Sequence, residues 1–443
     1  MTEQNQELPR KLSLLDSTMI NVGSMIGSGI FIVPATIALQ LQSSSFIIMV
    51  WIIGGMISLF GALSVAELGA LMPRAGGQYV YLKEAYSPLW GFLYGWTAFL
   101  VINTASIAAV AVTFATYLGY FFPLSAAAIK TIAVTSIMFL TIVNCFGIKL
   151  GAAIQNGLTL LKMAALLILV GLSFLLSGGS ISNFSPVFPS SPLTTLTGPF
   201  VLAMVAVLWS YDGWIEITYV AGEVKDPQQT LPRALGLGTL IVIAIYILIA
   251  SAVMYVLPMQ AAAHSQIVLS DAAVKIMGTG GAIFISMAVV ISTFGTNNGF
   301  IFTCPRIYYA MAREGLFFKW LATIHPRYET PVASLIVQAF LASALILSGS
   351  YDQLITYVVF ASFLFYGMSA AAVIVLRRKS PQIPRAYKTW GYPFTPIIFI
   401  LFSIYLVMSS ITENPRDSLF GFCIVLLGIP AYLFWKRHPG TKS

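Results

Sequence analysis

Two long apolar stretches of this chain contain residues that interrupt a helix. The first carries GSMIGSGIF at Gly23–Phe31, and the second carries WSYDGW at Trp209–Trp214. Hydrocarbon offers no hydrogen bonds to freed backbone groups, so a broken helix survives in a membrane only where it lines a cavity or contacts protein. Each interruption therefore predicts a binding site at membrane depth.

The composition defines the fold class. Of the 443 residues, 58% are hydrophobic and only 9% are charged, with a mean hydropathy of +0.88, whereas about a quarter of the residues in soluble domains are charged. The sequence predicts an all-α membrane protein with about twelve spans, each with the ~20 apolar residues that a bilayer requires. The predicted spans, numbered 1 to 12, are 14–40, 46–70, 88–120, 126–147, 151–178, 197–221, 234–258, 277–305, 331–349, 352–376, 392–411 and 417–435.

The two interrupted spans are predicted to cross the membrane in opposite directions, because span 6 comes five spans after span 1 and each successive span reverses the direction. Opposite crossing is what an inverted repeat requires. We therefore predict one transmembrane domain over residues 1–443. It would contain a first inverted repeat at 14–178, a second at 197–377 and two additional C-terminal helices at 392–435.

Positive charge predicts the orientation. The chain has 23 Lys and Arg residues, and positive residues in short loops stay cytoplasmic. With the N-terminus inside, all but four of them lie in cytoplasmic loops or tails; Lys130, Lys275 and Arg416 lie outside, and Lys162 lies within span 5. Both termini are predicted to be cytoplasmic. Topology also accounts for the net charge of +8 without a nucleic-acid partner.

The chain has too few chemistry-bearing residues in proximity to suggest catalysis. Its three cysteines form no CxxC pair and its three histidines are far apart, so we expect no disulfide, metal site or cofactor. These residues are Cys145, Cys304, Cys423, His264, His325 and His438. A channel would require a ring of like groups along one pore. A transporter is therefore favoured over a channel or a membrane enzyme.

Four motifs carry a specific resemblance. They are GSMIGSGIF in span 1, QNGLTLLKMAAL in span 5, GEVKDPQQTLPRA after span 6, and FGTNNGFIFTCPRIYYAMAREG running out of span 8. With these motifs the chain resembles the amino acid, polyamine and organocation transporters. Within that superfamily it is most similar to the sodium-independent L-type amino acid transporters and the bacterial serine/threonine exchangers.

The resemblance implies a fold and a function. The fold would be that of the leucine transporter, with a 5+5 inverted repeat and discontinuous helices 1 and 6. The function would be sodium-independent exchange of small or neutral L-amino acids by alternating access. A proton-coupled amino acid symporter is the alternative.

The interruption in span 1 is suited to an anion. A half-helix starting near Ser28 would present unpaired N–H groups and the positive end of its dipole. By resemblance, the glycine-rich turn holds the substrate α-carboxylate, and this turn maps to Ile26, Gly27, Ser28 and Gly29. A glycine there lets a ligand approach the backbone closely.

The substrate ammonium needs acceptors. Carbonyl groups freed at the two interruptions would supply them, and by family position these belong to Met25, Trp209 and Asp212. A zwitterion would fit between the two sets of groups. Trp209 also occupies the place of the family's gating aromatic residue, and is predicted to cap the substrate from outside.

Lys162 is a cation deep in an apolar span. It follows Gly151 by eleven residues, or ~16 Å of helix, near the middle of a ~30 Å core. By resemblance, the lysine amine of sodium-independent members replaces a sodium ion that joins helix 1 to helix 8. Ser292 and Thr296, spaced i and i+4 on span 8, could accept from that amine. A Lys162 that stays charged favours exchange, whereas one that releases a proton favours symport.

Two further residues are candidates for selectivity. Glu216 lies in the second half of span 6, where carriers of neutral amino acids do not generally have an acid. It could select a cationic substrate, take part in proton coupling or face a polar vestibule. Asn103, with Thr104 and Ser106 on span 3, could line the side-chain pocket.

The loop between spans 3 and 4 bears on partners. The eukaryotic L-type carriers join an ancillary glycoprotein through a cysteine in this outer loop, and residues 123–127 contain none. We therefore expect an amino acid substrate and the lipid bilayer as partners, and no disulfide-linked subunit. The short tails and the missing cysteine indicate a bacterial plasma-membrane protein.

Overall fold

The computed structural model describes residues 8–176, 178–189, 192, 197–349, 351–413 and 415–437. In these residues the chain is helical, and the only β pairing is a single bridge between Leu12 and Val224. Each predicted span corresponds to a helix or to two consecutive helices. In chain order they are 1a Leu14–Met25, 1b Gly29–Leu41, 2 Ser44–Leu71, 3 Pro88–Leu118, 4 Ala126–Cys145, 5 Ile148–Leu175, 6a Thr197–Ser210, 6b Glu216–Glu223, 7 Pro227–Val256, 8 Thr279–Arg313, 9 Val332–Ser348, 10 Tyr351–Lys379, 11 Phe394–Glu413 and 12 Pro415–Arg437.

The all-α membrane class is confirmed. Among the described residues, nine helices are long and apolar enough to cross a membrane, and the bent pair 1a and 1b adds a tenth. Helices 6a and 9 are apolar but shorter. Twelve crossings and the inverted repeat therefore remain predictions, although every predicted span coincides with helix.

Helices extend beyond the predicted spans where their sequence turns polar. Span 7 begins at Pro227, within PQQTLPRA, and span 8 continues to Arg313, through PRIYYAMAR. Hydropathy detects only the part of a helix that is apolar. Within the described residues, the predicted loops also contain three short α-helices, Gln78–Ala85, Met259–His264 and Val268–Met277, and two 3₁₀ helices, Ile181–Phe184 and Lys319–Ala322.

The interruption in span 1 is confirmed. Ser13 and Asp16 form a capping box that starts helix 1a, and regular helix stops before Ile26 and resumes at Gly29 with a 45° bend. The glycines here differ in role. A Cβ on Gly23 would lie 2.2 Å from Gln155 of span 5, so this glycine permits close packing, whereas Gly27 has room for one.

The interruption in span 6 is also confirmed, with a different geometry. Helix 6a ends at Ser210, turns follow, and helix 6b is a 3₁₀ helix rather than the expected α-helix. Gly213 has φ of 103°, and a Cβ on it would lie 2.7 Å from the Ser24 carbonyl oxygen. A Cβ on Gly29 would lie 2.8 Å from Ser210 Oγ. The two interruptions therefore pack directly against each other.

One end of the helix bundle, predicted to be cytoplasmic, is closed by the segment that precedes helix 1a. The Lys11 and Leu12 N–H groups donate to the Glu223 carbonyl at 2.8 and 2.9 Å. The Glu223 carboxylate in turn pairs with Arg306 of span 8, with Nε to Oε1 at 2.7 Å, and both side chains are buried. Spans 1, 6 and 8 are thus joined at this end.

Candidate substrate-binding site

A cavity of about 100 Å³ lies where the two interruptions meet. Its wall combines residues from both interruptions with residues of spans 3, 8 and 10. The lining residues from the interruptions are Ser24, Met25, Gly27, Ser28, Gly29, Trp209, Ser210 and Asp212. This volume is small beside the ~300–1,000 Å³ of pockets for drug-sized ligands. The site therefore suits a ligand of few atoms.

The first turn of helix 1b supplies hydrogen-bond donors to the cavity. Ser28 is its N-cap residue and makes no side-chain capping bond, and the first N–H groups of a helix have no partner within the helix. Gly27, Ser28 and Gly29 all line the cavity, while Ile26 lies fully buried behind it. This is the arrangement of an anion site at a helix N-terminus.

The opposite wall carries acceptors. Met25, Trp209 and Asp212 line the cavity as well. The Met25 carbonyl already accepts from the Tyr246 hydroxyl at 3.0 Å, and the same hydroxyl lies 3.0 Å from the Ser210 carbonyl. One hydroxyl has one proton, so the two carbonyl groups share the Tyr246 proton, and Tyr246 of span 7 links the two interruptions. Nothing in the sequence distinguishes this tyrosine from the others in apolar spans.

The side chains at this wall have distinct positions. The Asp212 carboxylate accepts from the Tyr366 hydroxyl of span 10 at 2.8 Å, and the residue lines the cavity. Trp209, in the last turn of helix 6a, is 38% exposed and borders the cavity. Its gating role therefore remains a prediction.

Lys162 lies in the middle of span 5, about 21 Å of helix after Ile148. It is fully buried, and its Nζ donates to the carbonyl oxygens of Gly23 at 2.8 Å and Ile26 at 2.7 Å. These are carbonyl groups that the interruption of span 1 leaves without helical partners. The amine therefore satisfies the interrupted backbone directly.

Span 8 completes the amine's surroundings. Nζ donates to Thr296 Oγ1 at 2.9 Å and approaches the Ser292 carbonyl oxygen at 3.2 Å. Thr296 thus accepts through its hydroxyl, as predicted, but Ser292 contributes its backbone. The Ser292 hydroxyl instead donates to the Ile26 or Gly27 carbonyl, at 2.9 and 3.1 Å. Lys162, Ser292 and Thr296 together join spans 1, 5 and 8.

Glu216 lies behind the cavity wall. It is 7% exposed, and its Oε2 accepts from the Thr303 hydroxyl of span 8 at 2.8 Å and from the Ser24 hydroxyl at 3.4 Å. Ser24 lines the cavity and Glu216 does not. The carboxylate is therefore one hydroxyl group away from a bound ligand, and does not face an open vestibule.

Span 3 contributes Ser106 to the cavity rather than Asn103. The Asn103 amide donates to the Tyr308 hydroxyl of span 8 at 3.1 Å, in the buried interior. The backbone just before Asn103 explains this orientation. Residues Ala98–Ile102 form a π-helical turn, and the extra residue of such a turn rotates the side chains that follow. Sequence periodicity gave no sign of this turn.

Broken helices that meet around a small central cavity in a membrane bundle define a class of protein, the transporters with a substrate site at mid-membrane. The family model described as "Amino acid permease" matches residues 12–429. The chain belongs to the amino acid permease family.

The sequences of individual relatives align with nearly the whole of this chain. The serine/threonine exchanger SteT of Bacillus subtilis is 32% identical, over all of both chains. The b(0,+)-type amino acid transporter 1 of Mus musculus is 33% identical, over 97% of this chain and 89% of its own. The cystine/glutamate transporter of Homo sapiens is 32% identical, over 99% and 88%. These similarities confirm the predicted family.

Proposed function

We propose that this protein exchanges small neutral L-amino acids across the membrane by alternating access, without sodium. The observation that carries the proposal is the bonding of Lys162. Its Nζ donates hydrogen bonds to two carbonyl groups freed in span 1, those of Gly23 and Ile26. It also donates to the Thr296 hydroxyl of span 8.

A cation at this point serves a structural need. Carbonyl oxygens without partners are costly to bury in a membrane, and a hard cation or an ammonium group can satisfy them. A sodium ion would have to be bound from solution and would couple transport to the sodium gradient. Lys162 is covalently fixed, so the same contacts form with no ion taken from either side.

The cavity supports a zwitterionic ligand. Within the predicted turn Ile26–Gly29, the N–H groups of Ser28 and Gly29 would hold the α-carboxylate, because the positive end of helix 1b favours an anion. The Ile26 and Gly27 N–H groups already donate to the Val22 and Met25 carbonyl groups, both at 2.9 Å. The carbonyl groups of Met25, Trp209 and Asp212 would hold the α-ammonium. This ligand would displace the Tyr246 hydroxyl from Met25, and Trp209 would close over it from the outer side.

The relatives support exchange over proton symport, since SteT is described as an exchanger. Their described substrates differ, from serine and threonine to cystine and glutamate. All are amino acids. The names of the relatives therefore do not fix which substrate side chain this protein prefers, and that preference must be inferred from the residues lining its own cavity.

The remaining assignments are also proposals. We propose that the protein resides in the plasma membrane with both termini cytoplasmic and catalyses no reaction. It would need no disulfide-linked subunit, because the outer segment 119–125 between spans 3 and 4 contains no cysteine.

Uptake into proteoliposomes tests the function. The purified protein is reconstituted without sodium, and uptake of labelled alanine is compared between empty vesicles and vesicles filled with unlabelled alanine, at equal pH. Exchange predicts uptake only into filled vesicles. Uptake into empty vesicles under an inward proton gradient would contradict exchange and establish symport, and absence of uptake in both would contradict amino acid transport. Protein-free liposomes are the control.

A further inference from the structure

The part of the cavity wall away from the two interruptions is mostly aliphatic and aromatic. It is formed by spans 3, 8 and 10, and its apolar members are Ala109, Val110, Phe300, Val358, Val359 and Phe363. Three hydroxyl groups complete this wall, from Ser106 of span 3, Thr296 of span 8 and Ser362 of span 10. That of Thr296 is already bonded to Lys162. The substrate's side chain would face this surface, because both interruptions are occupied by the α-carboxylate and the α-ammonium.

Ser362 is a buried serine of the cavity wall whose hydroxyl lacks a partner. The residue is 2% exposed, and its Oγ forms no hydrogen bond with the residues that the structure describes. Ser343 has a similar unpartnered hydroxyl but does not line the cavity. Ser369, two turns after Ser362 on the same helix, donates instead to the Phe365 carbonyl at 2.9 Å, as membrane serines commonly do. A buried hydroxyl without a partner is costly, so a ligand that supplied one would be favoured.

Ser106 can accept a hydrogen bond from a substrate hydroxyl, whereas Ser362 can donate one. Its hydroxyl donates to the Ile102 carbonyl at 2.6 Å, within the π-helical turn of span 3. Its proton is therefore engaged, and its oxygen lone pairs remain able to accept. Ser362 can donate after rotation about χ1, which moves a serine hydroxyl among three staggered positions.

We propose that Ser106 and Ser362 form a subsite for a hydroxyl group on the substrate's side chain, so that the protein prefers serine and threonine to alanine and valine. The substrate hydroxyl donates its proton to Ser106 Oγ and accepts one from Ser362. The inference rests on the proposed exchange function and specifies its substrate class. The apolar residues around the two serines limit the side chain to a small one.

Threonine and valine give the sharpest test, because they have nearly the same shape and differ in one hydroxyl group. A site built to bond a substrate hydroxyl discriminates strongly against an analogue without it. With one to two such bonds, the apparent KM for valine in exchange assays should exceed that for threonine by about tenfold. In Ser362→Ala the apparent KM for valine should exceed that for threonine by no more than about threefold.

The matched control is Ser369→Ala. It makes the same chemical change on the same helix, at a serine whose hydroxyl is already bonded and which does not line the cavity. The valine-to-threonine ratio in this variant should equal that of the unmodified protein. A Ser362→Ala variant with an unchanged ratio would overturn the subsite, as would an unmodified protein that does not discriminate.

Ligand-induced thermal stabilisation in detergent gives a readout that needs no transport. A bound ligand raises the melting temperature according to its affinity. Threonine should stabilise the unmodified protein more than valine does, and the two should be equal in Ser362→Ala. Equal stabilisation of the unmodified protein would overturn the subsite, even where the exchange assay succeeds. Loss of exchange together with preferential stabilisation by threonine would leave the subsite supported and contradict only the proposed function.

Discussion

The two interruptions are stabilised by different chemistry. At the interruption of span 1, the ammonium group of Lys162 bonds the carbonyl oxygens of Gly23 and Ile26. At the interruption of span 6, the corresponding partner is neutral, since the Ser210 carbonyl lies 3.0 Å from the Tyr246 hydroxyl. Hydrogen bonds from a charged donor are roughly twice as strong as neutral ones. The difference suggests that the first interruption is held fixed and that the second is free to rearrange.

The largest effect should come from Lys162→Ala, which removes the charged partner. Only the Thr296 and Ser292 hydroxyl groups would remain to donate to the Gly23 and Ile26 carbonyl groups. The buried site would lose three charged hydrogen bonds, and an unsatisfied buried group costs about 1–3 kcal/mol. Exchange of alanine in proteoliposomes should fall at least 100-fold. The matched control is Lys149→Ala, at the exposed start of the same helix, which should stay within twofold. Full activity in Lys162→Ala would contradict the role of the amine.

Gly213→Ala should have the next largest effect. A φ of 103° is strained for any residue with a Cβ, and this Cβ would lie 2.7 Å from the Ser24 carbonyl oxygen. We expect the melting temperature in detergent to fall by several degrees and exchange to fall about tenfold or more. Gly198→Ala is the control, because a Cβ at that position of helix 6a meets nothing within 4 Å. Equal melting temperatures for the two variants would contradict this account of the turn.

These positions show what the sequence could reveal. Lys162 is a lone charge in a long apolar segment, and glycines cluster at Gly23–Gly29, so the local sequence located the span 1 interruption and a buried cation. That the two meet was implied only by the resemblance to the transporter family. The contacts of the Tyr246 and Ser362 hydroxyl groups were not visible, because tyrosine and serine are common in membrane helices. Only the packing of the described residues shows that the first is shared between two carbonyl groups and that the second has no partner there. The 3₁₀ form of helix 6b was likewise invisible to a hydropathy pattern.

Tyr246→Phe should have an intermediate effect. It removes the hydroxyl that serves the Met25 and Ser210 carbonyl groups and leaves the ring, which packs against Trp51 and Tyr211. Loss of one neutral hydrogen bond, about 1 kcal/mol, should raise the apparent KM for alanine about fivefold. Tyr255→Phe, on the same helix near its outer end, should leave KM within twofold. An effect as large as that of Lys162→Ala would mean that the two interruptions are equally rigid.

The smallest effect is expected for Glu216→Gln. Glutamine keeps an oxygen to accept from Thr303 but removes the charge, which lies behind Ser24 rather than in the cavity wall. The ratio of exchange rates for lysine and alanine should fall by about two- to threefold, because the carboxylate acts on a substrate cation across an intervening group. A tenfold change would place the carboxylate in direct contact with substrate, and an unchanged ratio would assign Glu216 to packing alone.

The central claim is that the ammonium group of Lys162 replaces a bound sodium ion. Its most direct test is the rate of alanine exchange in proteoliposomes as choline is replaced by sodium on both sides of the membrane, at constant ionic strength. The claim predicts the same rate at every sodium concentration. A rate that rises with sodium and saturates would contradict it, because saturation would reveal a sodium site that the fixed amine does not occupy.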